Sequence, residues 1–201
     1  SSTTDFAYIV NGHQQNVSLF GDTNLGGGLI DELILSRAMA ASRDQKALEA
    51  VFEESPAWRS YCELEARRLK ESYFLDEEKW AEAPLCRTLT VCYDEPLALE
   101  LSIGGASIRK MVEQPIPALG GRSFVGCLKD ALCAAVEVSR SCPPEVVILT
   151  GGASRMAFFQ QACRDTFADA LVVLCPEPEC SIARGLAYAG RVDERLKTFR
   201  Q

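Results

Sequence analysis

Between Val146 and Met156 the chain reads VVILTGGASRM: four apolar residues, then a glycine pair, then a helix-forming segment. An apolar run this short, without alternation, is the pattern of a strand buried on both faces. Gly151 and Gly152 allow a sharp turn straight after it, and a helix is predicted from about Ser154. A strand that runs through a tight turn into a helix commits the chain to α/β layering, with helices against a sheet. It also places unobstructed backbone N–H groups at the positive end of a helix. Such a junction suits a nucleotide, because glycine lets a flat base approach the backbone and Arg155 can lay its guanidinium over an aromatic ring. A simple tight turn would use the same residues, so the remaining chain has to decide.

Upstream, Asp5 to Val10 is rich in aromatic and β-branched residues, Asn11-Gly12 suits a tight turn, and Gln15 to Phe20 alternates polar with apolar, which predicts a β-hairpin. His13, the only histidine, reads as a turn residue. The loop from Gly21 to Gly28 then opens a helix marked by Leu29, Ile30, Leu33, Ile34, Arg37 and Ala38, and its glycines Gly26, Gly27 and Gly28 offer backbone donors a second time. Ser1, Ser2, Thr3 and Thr4 put hydroxyls and amide donors in a row before the first strand.

Residues 45–76 lack glycine, and Pro56 fits the first turn of a long helix. On that helix Glu65, Arg68 and Ser72 share one face, beside an apolar stripe of Cys62, Ala66, Leu69 and Tyr73. The polar face could hold a ligand or be an exposed ion pair worth about 0.3–0.5 kcal/mol. Leu85 to Tyr93 and Leu97 to Ile103 read as a second hairpin turning through Asp94-Glu95-Pro96. Helical patterns follow at Ala106 to Val112 and Ser123 to Ser139, then the strand before Gly151, a strand at Leu171 to Leu174 and a last helix from about Glu179 to Phe199.

A chain of 201 residues can bury about 70% of its unfolded surface in a core of its own. The net charge is −7 with basic residues scattered, which argues against nucleic acid or an anionic membrane as partner. No apolar run reaches the roughly 18 residues a bilayer span needs, and no signal core opens the chain. The nine cysteines contain no C-x-x-C pair, so a metal site is not expected and reduced thiols in the cytoplasm are. The absence of an initiator Met predicts that the natural protein is longer.

Taken in order, these segments resemble the second lobe of the nucleotide-binding domain of the DnaK-type seventy-kilodalton heat-shock chaperones, within the actin-like ATPase superfamily. Ser1-Ser2-Thr3-Thr4-Asp5-Phe6 resembles the second phosphate loop D-x-G-G-G-T-F-D, entered after its D-x-G and with serines for two glycines. Gly21-Asp22-Thr23-Asn24-Leu25-Gly26-Gly27 with Asp31 is similar to G-D-T-x-L-G-G-x-x-x-D, though Gly28 stands where Glu is usual. Glu65-x-x-Arg68-x-x-x-Ser72 looks like the adenosine-reaching E-x-x-K-x-x-x-S helix, with Arg for Lys. Val147 to Met156 resembles the adenine-binding V-x-L-x-G-G-[SA]-[ST]-R-[IM], and Pro178-Glu179 with Ile182-Ala183-x-Gly185 resembles the closing P-D-x-x-V-A-x-G, with Glu for Asp. The likeness spans the whole chain, but residues 37–103 are matched only by pattern and by the one helix.

The resemblance implies a ribonuclease-H-like α/β core from residues 1–36 and 113–201, with a helical and β-hairpin subdomain, 37–112, inserted between. It implies ATP or ADP, with Mg2+ in the intact parent, held by Ser1, Ser2, Thr3, Gly26, Gly27, Gly28, Glu65, Arg68, Ser72, Gly151, Gly152, Ser154, Arg155 and Glu179. Its partners would be the missing first lobe, which carries the other phosphate loop and the catalytic lysine, and co-chaperones or client proteins. Lacking that lobe and the D-x-G carboxylate, this chain is expected to bind adenine nucleotide weakly and not to hydrolyse it. An actin-like filament protein and a non-catalytic interaction module of the same fold are the alternatives.

Overall fold

The computed structural model describes residues 3–14, 21–22 and 25–198. The chain is mixed α/β and divides into two compact units, one running to Ala131 and the other from Leu132.

In the first unit, β1 (Thr4–Asp5) pairs antiparallel with β4 (Gly21–Asp22), and β2 (Ile9–Val10) with β3 (His13–Gln14). Asn11 at φ 51° and Gly12 at φ 77° make the tight turn between β2 and β3, the two positive-φ positions that the Asn-Gly dipeptide is suited to. The expected strand over Gln15 to Phe20 lies outside the described residues, as do Ser1, Ser2, Thr23 and Asn24.

Helix α1 (Gly27–Ala41) buries Ile30, Asp31, Ile34, Leu35 and Ala38, a stripe at three- and four-residue spacing. Helix α2 (Gln45–Glu54) runs into α3 (Pro56–Leu75) through Ser55, with Pro56 in the first turn of α3, where a missing N–H costs nothing. Strands β5 (Leu85–Val91) and β6 (Leu97–Ile103) pair antiparallel in full register, Leu89 opposite Leu99 and Arg87 opposite Leu101. Their inward face buries Leu89, Val91, Leu99, Leu101 and Ile103, and the hairpin packs on α1 and α3. The outward face is mostly exposed, the pattern of an antiparallel ribbon with one wet side.

Helix α4 (Gly105–Glu113) begins where Gly104 lies against Pro84, with room for a Cβ only at 3.2 Å. A glycine turn follows, with Gly120 at φ 64° and Gly121 at φ 81°, before α5 (Phe124–Val138), which crosses from one unit into the other.

In the second unit, β7 (Val146–Leu149) runs parallel to β8 (Leu171–Leu174), and Leu171 N–H to Glu145 O and Cys175 N–H to Leu149 O extend the ladder at both ends. Helices α6 (Ala157–Thr166) and α7 (Ser181–Thr198) complete the unit. The sequence pattern predicts β7 buried on both faces; instead Val146 and Ile148 are 48% and 63% exposed. Their register partners Leu171 and Val173 are exposed with them, at 65% and 39%. An apolar run encodes burial on both faces only if elements cover both; α6 packs on β8, and the outward residues of the β7–β8 pair remain exposed.

Candidate functional site

The turn after β7 is built by Gly151, at φ 79° and ψ 152°, a backbone conformation only glycine adopts without strain. Its N–H donates to Pro178 O at 2.7 Å, which ties the turn to the short 3-10 turn at Pro178–Cys180. Its carbonyl accepts from both Ser154 N–H at 3.1 Å and Ser154 Oγ at 2.7 Å, closing the 3-10 turn Gly152–Arg155. Ser154 is therefore buried with its hydroxyl engaged inside the turn. Gln160 Nε2 donates to the carbonyls of Ser154 and Arg155, holding the far side.

Gly152 is exposed, and nothing lies within 4 Å of the Cβ it lacks. Beside it, Arg155 extends to Glu179: Nε to Oε2 at 3.2 Å and Nη2 to Oε1 at 3.1 Å. The fork holds the guanidinium in one plane with a quarter of the side chain open to solvent. The Arg155 guanidinium holds the Glu179 carboxyl below the usual carboxylate range. Gly151, Gly152, Ser154, Arg155 and Glu179 thus come together in the second unit, from two segments separated by more than twenty residues.

The other expected residues belong to the first unit. Thr4 Oγ1 donates to Leu25 O at 2.5 Å, linking the start of the chain to the glycine loop, and Thr3 Oγ1 donates to Asp5 Oδ2. Gly26 is the N-cap of α1 and has no side chain with which to cap it, and its carbonyl accepts from Leu29 N–H at 3.2 Å. Gly26 and Gly27 are buried and Gly28 is half-buried.

On α3, Glu65 is buried and accepts from Arg68 Nη1 at 2.5 Å and from Arg87 Nη1. Burial opposes its ionisation, but the Arg87 and Arg68 guanidiniums outweigh that and hold its carboxyl below the usual range. Ser72 Oγ donates back to Arg68 O at 2.8 Å. Both hydroxyl and carboxylate are engaged within the protein, while the Arg68 side chain remains 57% exposed.

Two residues were not anticipated from the sequence. Lys70 is buried, donates from Nζ to Gly27 O at 2.6 Å, and sits 2.6 Å from Asp31 Oδ1. The direction of that second contact falls short of a hydrogen bond, so Asp31 Oδ1 is held by charge alone, while Oδ2 accepts from Arg67 Nε at 3.3 Å. The lysine fixes the glycine loop to α3. Its signal was a charged residue next to Leu69, on the helix face that carries Cys62, Ala66 and Tyr73. Arg87, the second, occupies an inward parity position between Leu85 and Leu89, where alternation calls for an apolar residue.

Among the described residues no group of three or more His, Cys, Asp or Glu is arranged to hold a metal ion. No helix among them is long and apolar enough to cross a membrane. Comparison with models of known protein families gives no match, and comparison with curated proteins gives none.

Proposed function

We propose that the chain is an adenine-nucleotide-binding lobe of a heat-shock-chaperone-like ATPase, with a ribonuclease-H-like core. The observation that carries this is the junction of Gly151 with Pro178 and of Arg155 with Glu179. Two segments that resemble the family separately, the strand-GG-helix and the Pro-Glu element, meet there in one bonded cluster. The cluster has the chemistry of a base platform: a glycine with open space above it and a guanidinium held flat beside it.

In this reading the adenine ring lies against Gly151 and Gly152 and stacks on Arg155, with Glu179 setting the plane of the guanidinium. Ser154 shapes the turn from inside. Mg2+ would arrive with the nucleotide and the first lobe of an intact parent would hold it. Hydrolysis there would depend on positioning and electrostatic stabilisation of the phosphoryl group.

The test is an amide NMR titration with Mg-ADP, with Mg-GDP as control. Shifts at Gly151 to Met156 with ADP alone are expected. No shift there would overturn the nucleotide reading and leave an interaction module of the same fold.

A further inference from the structure

Three aromatic rings gather at one corner of the first unit, outside every residue assigned to the nucleotide. Trp58, in the first turn of α3, meets Tyr61 edge-on with ring centroids 5.9 Å apart and Tyr93 with centroids 5.2 Å apart. Tyr93 comes from the β5–β6 turn, where Cys92 at φ 63° redirects the chain. Tyr93 is 81% exposed and Tyr61 is 40% exposed, so this packing covers little of either ring. Aromatic side chains clustered in water are characteristic of interaction surfaces, since each loses favourable burial by standing there.

The charged residues that flank the rings along the chain are mostly acidic. Asp94 and Glu95 follow Tyr93 directly, and α2 ends on Glu53 and Glu54, just before α3 begins. Among the described residues none of these four carboxylates has an ion-pair partner. Glu53 and Glu54 also stand at the C-terminal end of α2, where the helix dipole favours cations and the last turn supplies none. Arg59, which follows Trp58 on α3, is already engaged by Glu63 and Glu32.

Exposed π faces and unneutralised carboxylates attract the same ligand. We infer that Trp58, Tyr61 and Tyr93 form a docking surface for a lysine- or arginine-rich segment of a partner protein, with cation–π contact on the rings and the carboxylates drawing the chain in. None of these residues belongs to the nucleotide reading, so the inference stands or falls separately from it.

The experiment follows Trp58 fluorescence in a Trp80→Phe background, which leaves Trp58 as the reporter. The probes are octa-arginine, octaglutamate and an uncharged leucine-serine peptide of equal length. A saturable emission change with octa-arginine only is expected, with Tyr93→Ala weakening affinity about two- to fivefold. Asp94→Asn with Glu95→Gln should weaken it further and flatten its salt dependence. Because Tyr93 is exposed, circular dichroism should be unchanged by its replacement. Equal octa-arginine affinity in a Tyr61→Ala, Tyr93→Ala double variant would reduce the effect to the general attraction of a chain of net charge −7 and overturn the inference. An absent emission change, or an equal response to the uncharged peptide, would overturn it as well.

Discussion

Glu65 and Glu179 are both carboxylates gripped by arginine, and they differ in how much water reaches them. The Glu65 side chain is 7% exposed and lies between two guanidiniums, one from its own helix and one from the hairpin. The Glu179 side chain is 50% exposed and meets a single arginine. In the first, the carboxylate has given up its hydration for two guanidiniums that still reach water, and turning Glu65 away would leave it without both partners. In the second, water still solvates the carboxylate, so Arg155 can exchange partners or accept a ring on its open face at little cost. The same pairing chemistry therefore holds α3 to the hairpin in one unit and forms a pair within reach of water in the other.

The largest effect should come from the other buried ion cluster. Lys70→Met removes the cation beside Asp31 and the donor to Gly27 O, leaving Asp31 with the half-exposed Arg67. A loss of about 3 kcal/mol in urea unfolding is expected; unchanged stability would show that the glycine loop is held by something else.

Next comes Glu65→Gln, which keeps the shape and removes the charge, with an expected loss of about 2 kcal/mol at neutral pH, moderated because both guanidiniums reach water. The folded carboxyl titrates below its ordinary value. Its contribution is therefore fully present above the unfolded value of about 4.3 and is lost as pH falls through the folded value. The stability gap between wild type and Glu65→Gln should be constant above about pH 4.3 and close below it. A gap that widens in acid would contradict the cluster.

Arg155→Ala tests the open pair. It should weaken ADP binding by about 0.5–2 kcal/mol in calorimetry through lost stacking. Glu179→Gln, by contrast, should move the unfolding midpoint far less than Glu65→Gln does, because water still solvates its carboxylate. A large shift in that midpoint would erase the distinction between the two clusters.

The smallest perturbation is chemical. Cys62 precedes Glu65 by one turn of α3 and is buried, with burial first and then the nearby carboxylates pushing its thiol up to about 11. Cys180 adjoins Glu179 and is exposed. Iodoacetamide at pH 8 should label Cys180 well before Cys62. Comparable rates, read by mass spectrometry, would mean that the buried cluster opens as readily as the exposed one.

Local rules account for much of what was legible. Asn11-Gly12 encoded its turn because both residues tolerate positive φ, Pro56 marked the start of α3 because its missing N–H is harmless there, and the alternation in Leu85 to Ile103 marked a hairpin with one wet face. Each is a property of a few adjacent residues, and so are the strand-GG-helix order and the glycine loop before α1.

Partnership across the chain was not legible, because it depends on residues distant in sequence. A Glu, an Arg and a Ser on one face of α3 read equally well as a ligand-binding face or as an ion pair until Arg87 arrived from β5 to saturate Glu65. Lys70 looked like an ordinary helix lysine until Gly27 and Asp31 surrounded its ammonium. The apolar run at β7 specified a strand, but its exposure was set by which elements cover each face. Spacing by itself marked α1, α3 and the β5–β6 hairpin, since those are short-range choices of φ and ψ, but it read His13 as a turn residue where the structure pairs it with Val10. Only the tertiary structure decided which charges are paired away from water, like Glu65, and which are paired within its reach, like Glu179, since desolvation is a property of the whole environment around a group.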